Sequence, residues 1–166
     1  IARYYLPDGT SVSRSFDEEG REKGRGGVKP DIKVVPEESS PWNAEYLQLL
    51  LEKKAFRNYL DRHFEQHAEL LRQLAENDGK DSARYPKFEA WYRSLSTRAE
   101  KNDVRRWLRD RLRQRVADER GMKPLADYME DVQLQRAIGV VLEKMKVSPA
   151  SIPEYRRLSI ENPRPR

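Results

Sequence analysis

A mainly α chain with a small β portion at its N-terminus is what this sequence predicts, on three observations. From Pro41 to Met145 apolar residues recur at spacings of three and four, the signature of amphipathic helices. The first thirty-odd residues instead alternate and turn at Pro7-Asp8-Gly9, as in a hairpin. Charged residues make up 37% of the 166, as many as the hydrophobic ones, so the helices must share a thin core beneath a heavily charged surface.

The β portion comes first. Ile1, Arg3 and Tyr5 alternate with Ala2 and Tyr4, and such β-branched and aromatic side chains suit a pleated, half-buried surface. At Pro7-Asp8-Gly9, proline presets φ, aspartate bonds locally and glycine supplies a positive φ. Val12 and its polar neighbours form the return strand. A lone hairpin is marginal in water, so this one reads as the edge of a sheet whose remainder lies elsewhere, and the chain as a piece of something larger. The charged loop from Phe16 to Gly27 carries Gly20, Gly24, Gly26 and Gly27 at spacings that match neither a P-loop nor a dinucleotide fingerprint, so it reads as a connector. Ile32 to Val35 reads as a short strand ended by Pro36.

About four to five helices follow. Ser40 is placed as an N-cap with Pro41 at the first helical position. Leu47, Leu50 and Leu51 mark one stripe; Phe56, Tyr59, Leu60, His63, Phe64, His67 and Leu71 mark a second, out of phase with the first, which puts a break near Lys53-Lys54. Asn77-Asp78-Gly79 stops the helix, and 80–86 is a polar link. Pro86 opens a shorter segment with Phe88, Trp91, Tyr92 and Leu95 on one face. Asn102 or Asp103 caps the next helix, whose inner face is Val104, Trp107, Leu108, Leu112 and Val116. Gly121 and Pro124 interrupt it. A last helix starts near Asp131 with Leu134, Ala137, Ile138, Val141, Leu142 and Met145 inside. Pro149, Pro153, Pro163 and Pro165 mark an extended tail. The expected division is 1–36 for hairpin and loop, 37–146 for the helices and 147–166 for the tail.

The run Ala2-Arg3-Tyr4-Tyr5-Leu6-Pro7-Asp8-Gly9, followed by Gly27-Val28-Lys29-Pro30-Asp31-Ile32, resembles the C-terminal processing (tail-specific) serine peptidases. In that family a strand of the type A-R-Y-Y-T-P-x-G-R-S-I leads to a G-I-x-P-D segment. Leu6 stands where the family has Thr and Thr10 where it has Arg, and the loop from Ser13 to Arg25 is longer and more charged. Asp131-Val132-Gln133-Leu134-Gln135-Arg136-Ala137-Ile138 resembles the ending of several members, and Leu47 to Phe64 and the Arg-rich helix resemble the helical insert of longer ones.

The resemblance implies a protease with a Ser–Lys dyad, in which lysine is the general base. In the family the serine, the lysine and its helper glutamine all precede this strand. The chain is therefore expected to be the C-terminal part of such an endopeptidase, without catalytic, cofactor-binding or metal residues of its own. It would pack on the catalytic core of its parent chain, whose substrates are proteins or peptides and whose location is extracytoplasmic or periplasmic. Arg3, Tyr4, Tyr5, Pro30 and Asp31 would be scaffold beside the dyad. Self-association is left open.

Candidate chemistry within the chain is sparse. The formal net charge of +5 arises from 33 basic and 28 acidic residues that are interleaved, so nucleic-acid contact is permitted and not demanded. There is no cysteine, which excludes disulfides and thiolate metal sites, and no apolar run long enough for a membrane span or a signal peptide. His63 and His67 lie four apart on one helix face, yet Glu65 is two residues from each and no third ligand is evident, so both read as packing residues rather than a zinc site. The helix bearing Arg105, Arg106, Arg109, Arg111, Arg113, Arg115 and Arg120 with Trp107 is the best nucleic-acid candidate, the competing class being a non-catalytic basic module. Interleaved Asp103, Asp110, Asp118 and Glu119 favour a solvated face with internal ion pairs. Ser11, Ser13 and Ser15 lie where any neighbouring lysine stays protonated, so no dyad is expected among them.

Overall fold

The computed structural model describes residues 5–7, 9, 13, 16–21, 30–35, 40–123, 126–153 and 155. The chain divides into two units, Ile1–Val35 and Pro36–Arg166.

In the first unit Tyr5 and Phe16 are isolated β-bridge residues, and Gly9 donates its N–H to Leu6 O (2.8 Å) with φ +81°, which closes the expected turn. Most of the predicted hairpin, including Arg3, Tyr4 and Val12, lies outside the described residues. The predicted strand Ile32–Val35 is corrected to irregular chain: Ile32 and Val35 are exposed, and no partner strand lies beside them among the described residues.

The second unit is helical. Six α-helices are described: α1 (Asn43–Glu52), α2 (Ala55–His63), α3 (Ala68–Glu76), α4 (Phe88–Ser94), α5 (Lys101–Glu119) and α6 (Val132–Lys144), with 3-10 turns at Ser82–Arg84 and Pro149–Ser151. The predicted break at Lys53-Lys54 is present, with Lys54 at φ 53°. A second break at 64–67 was not anticipated and raises the count above the expected four to five. There the apolar stripe runs on unbroken, because the interruption is a local turn that keeps Phe64 (4% exposed) and Leu71 (fully buried) in the same core. Apolar periodicity cannot see a turn that preserves phase.

Helix starts also shift. Ser40 acts upstream of α1, accepting the Trp42 N–H at Oγ (3.3 Å) and the Asn43 N–H at its carbonyl (3.0 Å), so the N-cap is Trp42 and not Ser40. Asn102 and Asp103 are inside α5 rather than capping it. Their side chains face arginines one turn on: Asn102 Oδ1 accepts from Arg105 Nε (2.9 Å) and Asp103 Oδ1 from Arg106 Nη2 (2.8 Å). The last helix starts near Asp131 as predicted, and Asp131 is its N-cap, accepting the Leu134 N–H (2.9 Å). Pro149 opens a 3-10 turn, so that part of the tail is not extended; Pro163 and Pro165 lie outside the described residues.

The core is built around α5. Val104, Leu108, Leu112 and Val116 are buried against Leu71, Leu74 and Ala75 of α3 and Phe56, Tyr59 and Leu60 of α2. Trp107 is half-buried against this core. An aromatic layer closes one side: Trp91 lies 4.6 Å from Tyr59, 5.4 Å from Phe88 and 6.0 Å from Phe56, ring centre to ring centre. Two tyrosine hydroxyls tie the layer to the backbone, Tyr59 donating to Pro86 O and Tyr92 to Ala99 O, each at 2.7 Å. Replacing fully buried Leu108 by alanine is expected to lower stability by about 3 kcal/mol, read by urea denaturation. Lys54→Gly is expected to raise it slightly, by about 0.5 kcal/mol, because a left-handed φ costs lysine and not glycine. A loss at this position would show that the lysine side chain contributes more than its backbone strain costs.

Candidate functional site

The most unusual chemistry of the second unit is a buried cluster of charges on α5. Arg105 and Arg109 are both 0% exposed, although the sequence reading had placed the arginines of this helix on a solvated face. Their partner is Asp78, 1% exposed, which the stop of α3 at Asn77 carries inward. Arg105 Nη1 donates to Asp78 Oδ2 (2.6 Å), and Tyr85 Oη donates to the same oxygen (2.9 Å). Arg105 Nη2 donates to Glu130 Oε1 (2.7 Å), so this guanidinium bridges two carboxylates.

Arg109 reaches the other way. Its Nη1 pairs with Asp127, and its Nη2 donates to Glu76 O (3.1 Å) and Ala75 O (3.3 Å), the last carbonyls of α3. A cation there meets the negative end of the helix dipole. Arg109 Nε lies 3.7 Å from Asp78 Oδ1, within ion-pair range but without a hydrogen bond. Arg113 completes the row, 3.4 Å from Asp127 Oδ1. Three arginines one turn apart thus face three carboxylates, and the cluster is neutral.

Proton affinities follow from this packing. Burial would lower the Arg105 pKa, but hydrogen bonds to Glu130 and Asp78 outweigh it and hold it above the ordinary arginine value. Burial, helped by the charge of Asp78, pushes the Tyr85 hydroxyl well above the usual tyrosine range, so it stays a donor. Arg113 is lowered, by burial first and by Arg109 second.

The rest of the arginine helix matches the ion-pair reading. Arg106 pairs with Asp103 (2.8 Å), Arg115 with Asp61 (2.7 Å) and Arg120 with Glu76 (3.3 Å). Arg115 also lies over the Phe64 ring, 4.3 Å from its centre. The signal that could have separated Arg105, Arg109 and Arg113 from the others was their phase: each directly follows a buried position, Val104, Leu108 or Leu112, and belongs to the inner edge of the stripe. Their partner, Asp78, sits in a Asn-Asp-Gly stop that reads as a surface turn.

The histidine pair sits as expected of packing residues. His63 is buried with its ring centre 4.6 Å from Tyr59 and 6.2 Å from His67, and Glu65 is exposed. Among the described residues no group of three or more histidines and carboxylates is placed to hold a metal ion. Burial lowers the His63 pKa, with His67, Arg62 and Lys87 adding to the effect. Of the serines, Ser13 is exposed, and Ser11 and Ser15 lie outside the described residues; Tyr5, Pro30 and Asp31 are exposed.

Two shallow surface grooves are present. One, of about 520 Å³, runs between Trp42, Tyr46 and Leu49 of α1 and the Leu95–Arg98 connection; the other, of about 510 Å³, lies between α2 and α5 beside Phe56, Leu60 and Arg115. No helix described is long and apolar enough to cross a membrane. No protein-family model matches the chain, and neither a curated protein nor a solved structure does.

Removing the charge of Asp78 by Asp78→Asn leaves two guanidiniums buried with one partner fewer, and is expected to cost about 3–5 kcal/mol in urea unfolding. His63 binds its proton less readily folded than unfolded, so stability is full above the unfolded pKa near 6.5 and falls as pH drops through that value. The melting temperature is expected to be lower at pH 5 than at pH 7.5, with a smaller difference in His63→Gln. An unchanged difference in that variant would move the pH effect to other groups.

Proposed function

We propose that this chain is the C-terminal part of a carboxyl-terminal processing serine peptidase, and that its helical unit is a non-catalytic module packing on the catalytic core of the parent chain. The observation that carries the reading is the paired run Ala2-Arg3-Tyr4-Tyr5-Leu6-Pro7-Asp8-Gly9 and Gly27-Val28-Lys29-Pro30-Asp31-Ile32. Two short segments of defined type, in the family's order and joined by a loop, coincide less readily by chance than a helical pattern does. The predominance of helix after residue 42 is compatible with the helical C-terminal region of longer members. The arginine cluster supports a structural role for α5, since with Glu130 and Asp127 in place its buried guanidiniums are engaged by the chain's own carboxylates.

In this reading the nucleophilic serine and general-base lysine belong to the parent's core. The substrates are proteins or peptides cleaved near their C-termini, and the parent acts outside the cytoplasm. The helices shape access to a cleft they do not catalyse in. The decisive experiment is to read the natural gene upstream of Ile1 and assay the protein it encodes against an unstructured substrate. A serine and a lysine upstream, with activity abolished by replacing that serine with alanine and retained in a Ser11, Ser13 and Ser15 triple-alanine variant, is the expected result. An upstream sequence without such a pair overturns the proposal.

A further inference from the structure

The arginine row of α5 is closed on its outer side by a segment that belongs to the bundle only in part. Residues 126–153 carry contacts of their own: Gln135 Nε2 donates to Tyr128 O (2.6 Å) and Val147 N–H to Leu142 O (2.9 Å); beyond them, Tyr155 meets Tyr128 edge-on at 6.0 Å. Of the apolar residues of α6 only Leu142 is buried, at 6% exposure, and it lies outside the cluster that unites α1–α5. Val141 and Met145, predicted to lie inside, are instead 53% and 63% exposed. The contacts that join this segment to α5 include three ion pairs among the described residues: Glu130 with Arg105, and Asp127 with both Arg109 and Arg113.

The two joining carboxylates are three residues apart and grip arginines spaced by four, so Asp127-Tyr128-Met129-Glu130 is a ligand held in cis. Its carboxylates keep some contact with water, at 23% and 17% exposure, whereas Arg105 and Arg109 have none. Asp78 lies on the bundle side of the row, bonded to Arg105 at 2.6 Å and 3.7 Å from Arg109 Nε, independently of this segment. Arg109 Nε, buried and without a hydrogen bond, is a spare donor facing the same cluster.

We propose that residues 126–153 form a strap that opens as a unit and uncovers the Arg105–Arg109–Arg113 row for a carboxylate-bearing segment of a partner protein, of the Asp-x-x-Glu type that the strap itself displays. The strap is its competitor. Because the competent state is the open one, the observed affinity for a partner is reduced by the open fraction, and loosening the strap raises it. This proposal does not rest on the peptidase reading, and either can fail without the other.

The test uses the complete 166-residue chain, wild type and Asp127→Asn/Glu130→Gln, with hydrogen exchange and a fluorescent peptide. In the double variant the amides of α6 are expected to exchange at least about tenfold faster while those of α3 and the first three turns of α5 keep their protection. A capped peptide of sequence Ala-Asp-Tyr-Met-Glu is expected to bind the variant at least about tenfold more tightly than wild type, and to lose about tenfold when its acids are replaced by Asn and Gln. In wild type, millimolar peptide is expected to speed α6 exchange alone, which keeps the proposal testable if the double variant unfolds. Exchange of α6 in step with α5, binding indifferent to the peptide's carboxylates, or a dimer formed by strap exchange without peptide binding would each overturn it.

Discussion

Asp78 is the residue on which the arrangement of the helical unit depends. It ends the α3 region, receives the Tyr85 hydroxyl, and sits between two guanidiniums that no water reaches. Through Arg105 and Arg109 it sets the axial position of α5 against α3. The same two arginines then reach outward to Glu130 and Asp127, so one buried carboxylate aligns α3, the 3-10 turn after it, α5 and the start of the α6 segment. Desolvating these charges is expensive, and attraction offsets the cost only because almost every donor finds an oxygen.

A chain with as many charged as hydrophobic residues has reason to build this way. Leucines and aromatics fill a single layer around α5, too thin to specify the order of six short helices by shape alone. Directional bonds add what shape does not: Tyr59 to Pro86, Tyr92 to Ala99, Arg109 to the end of α3. Buried polar networks of this sort act chiefly on uniqueness, and their contribution to stability is small beside the loss when one member is removed. The α6 segment follows the other half of that logic, since its junction with α5 includes three ion pairs and its apolar residues stay outside the common core.

The two units bear differently on function. The resemblance on which the peptidase proposal rests lies in the first unit, in the order of its residue types. The second unit contributes an account of what α5 is for. Six arginines on one helix and a seventh at its C-cap invite a nucleic-acid reading, and the geometry draws two of them into the interior and pairs others with carboxylates at the surface. The histidines have the spacing of a metal pair, but His63 is buried against the aromatic face of Tyr59.

Local chemistry was legible in the sequence wherever the determinant was itself local. Gly9 at its turn, the break at Lys53-Lys54, the Asn77-Asp78-Gly79 stop, Asp131 as a cap, and the inner faces of α2, α3 and α5 follow from residues within a few positions of one another. Only the tertiary structure decided what depended on partners distant in the chain. The turn at 64–67 keeps the phase of the stripe and so leaves no trace in its periodicity. Asn102 and Asp103 answer to arginines rather than to the helix end. Asp78 is a buried anchor because Arg105, 27 residues on, is there to receive it, and Val141 and Met145 are exposed because no apolar surface arrives to cover them. Sequence pattern states which side chains leave water readily; whether a charge can follow them depends on where its counter-charge is brought.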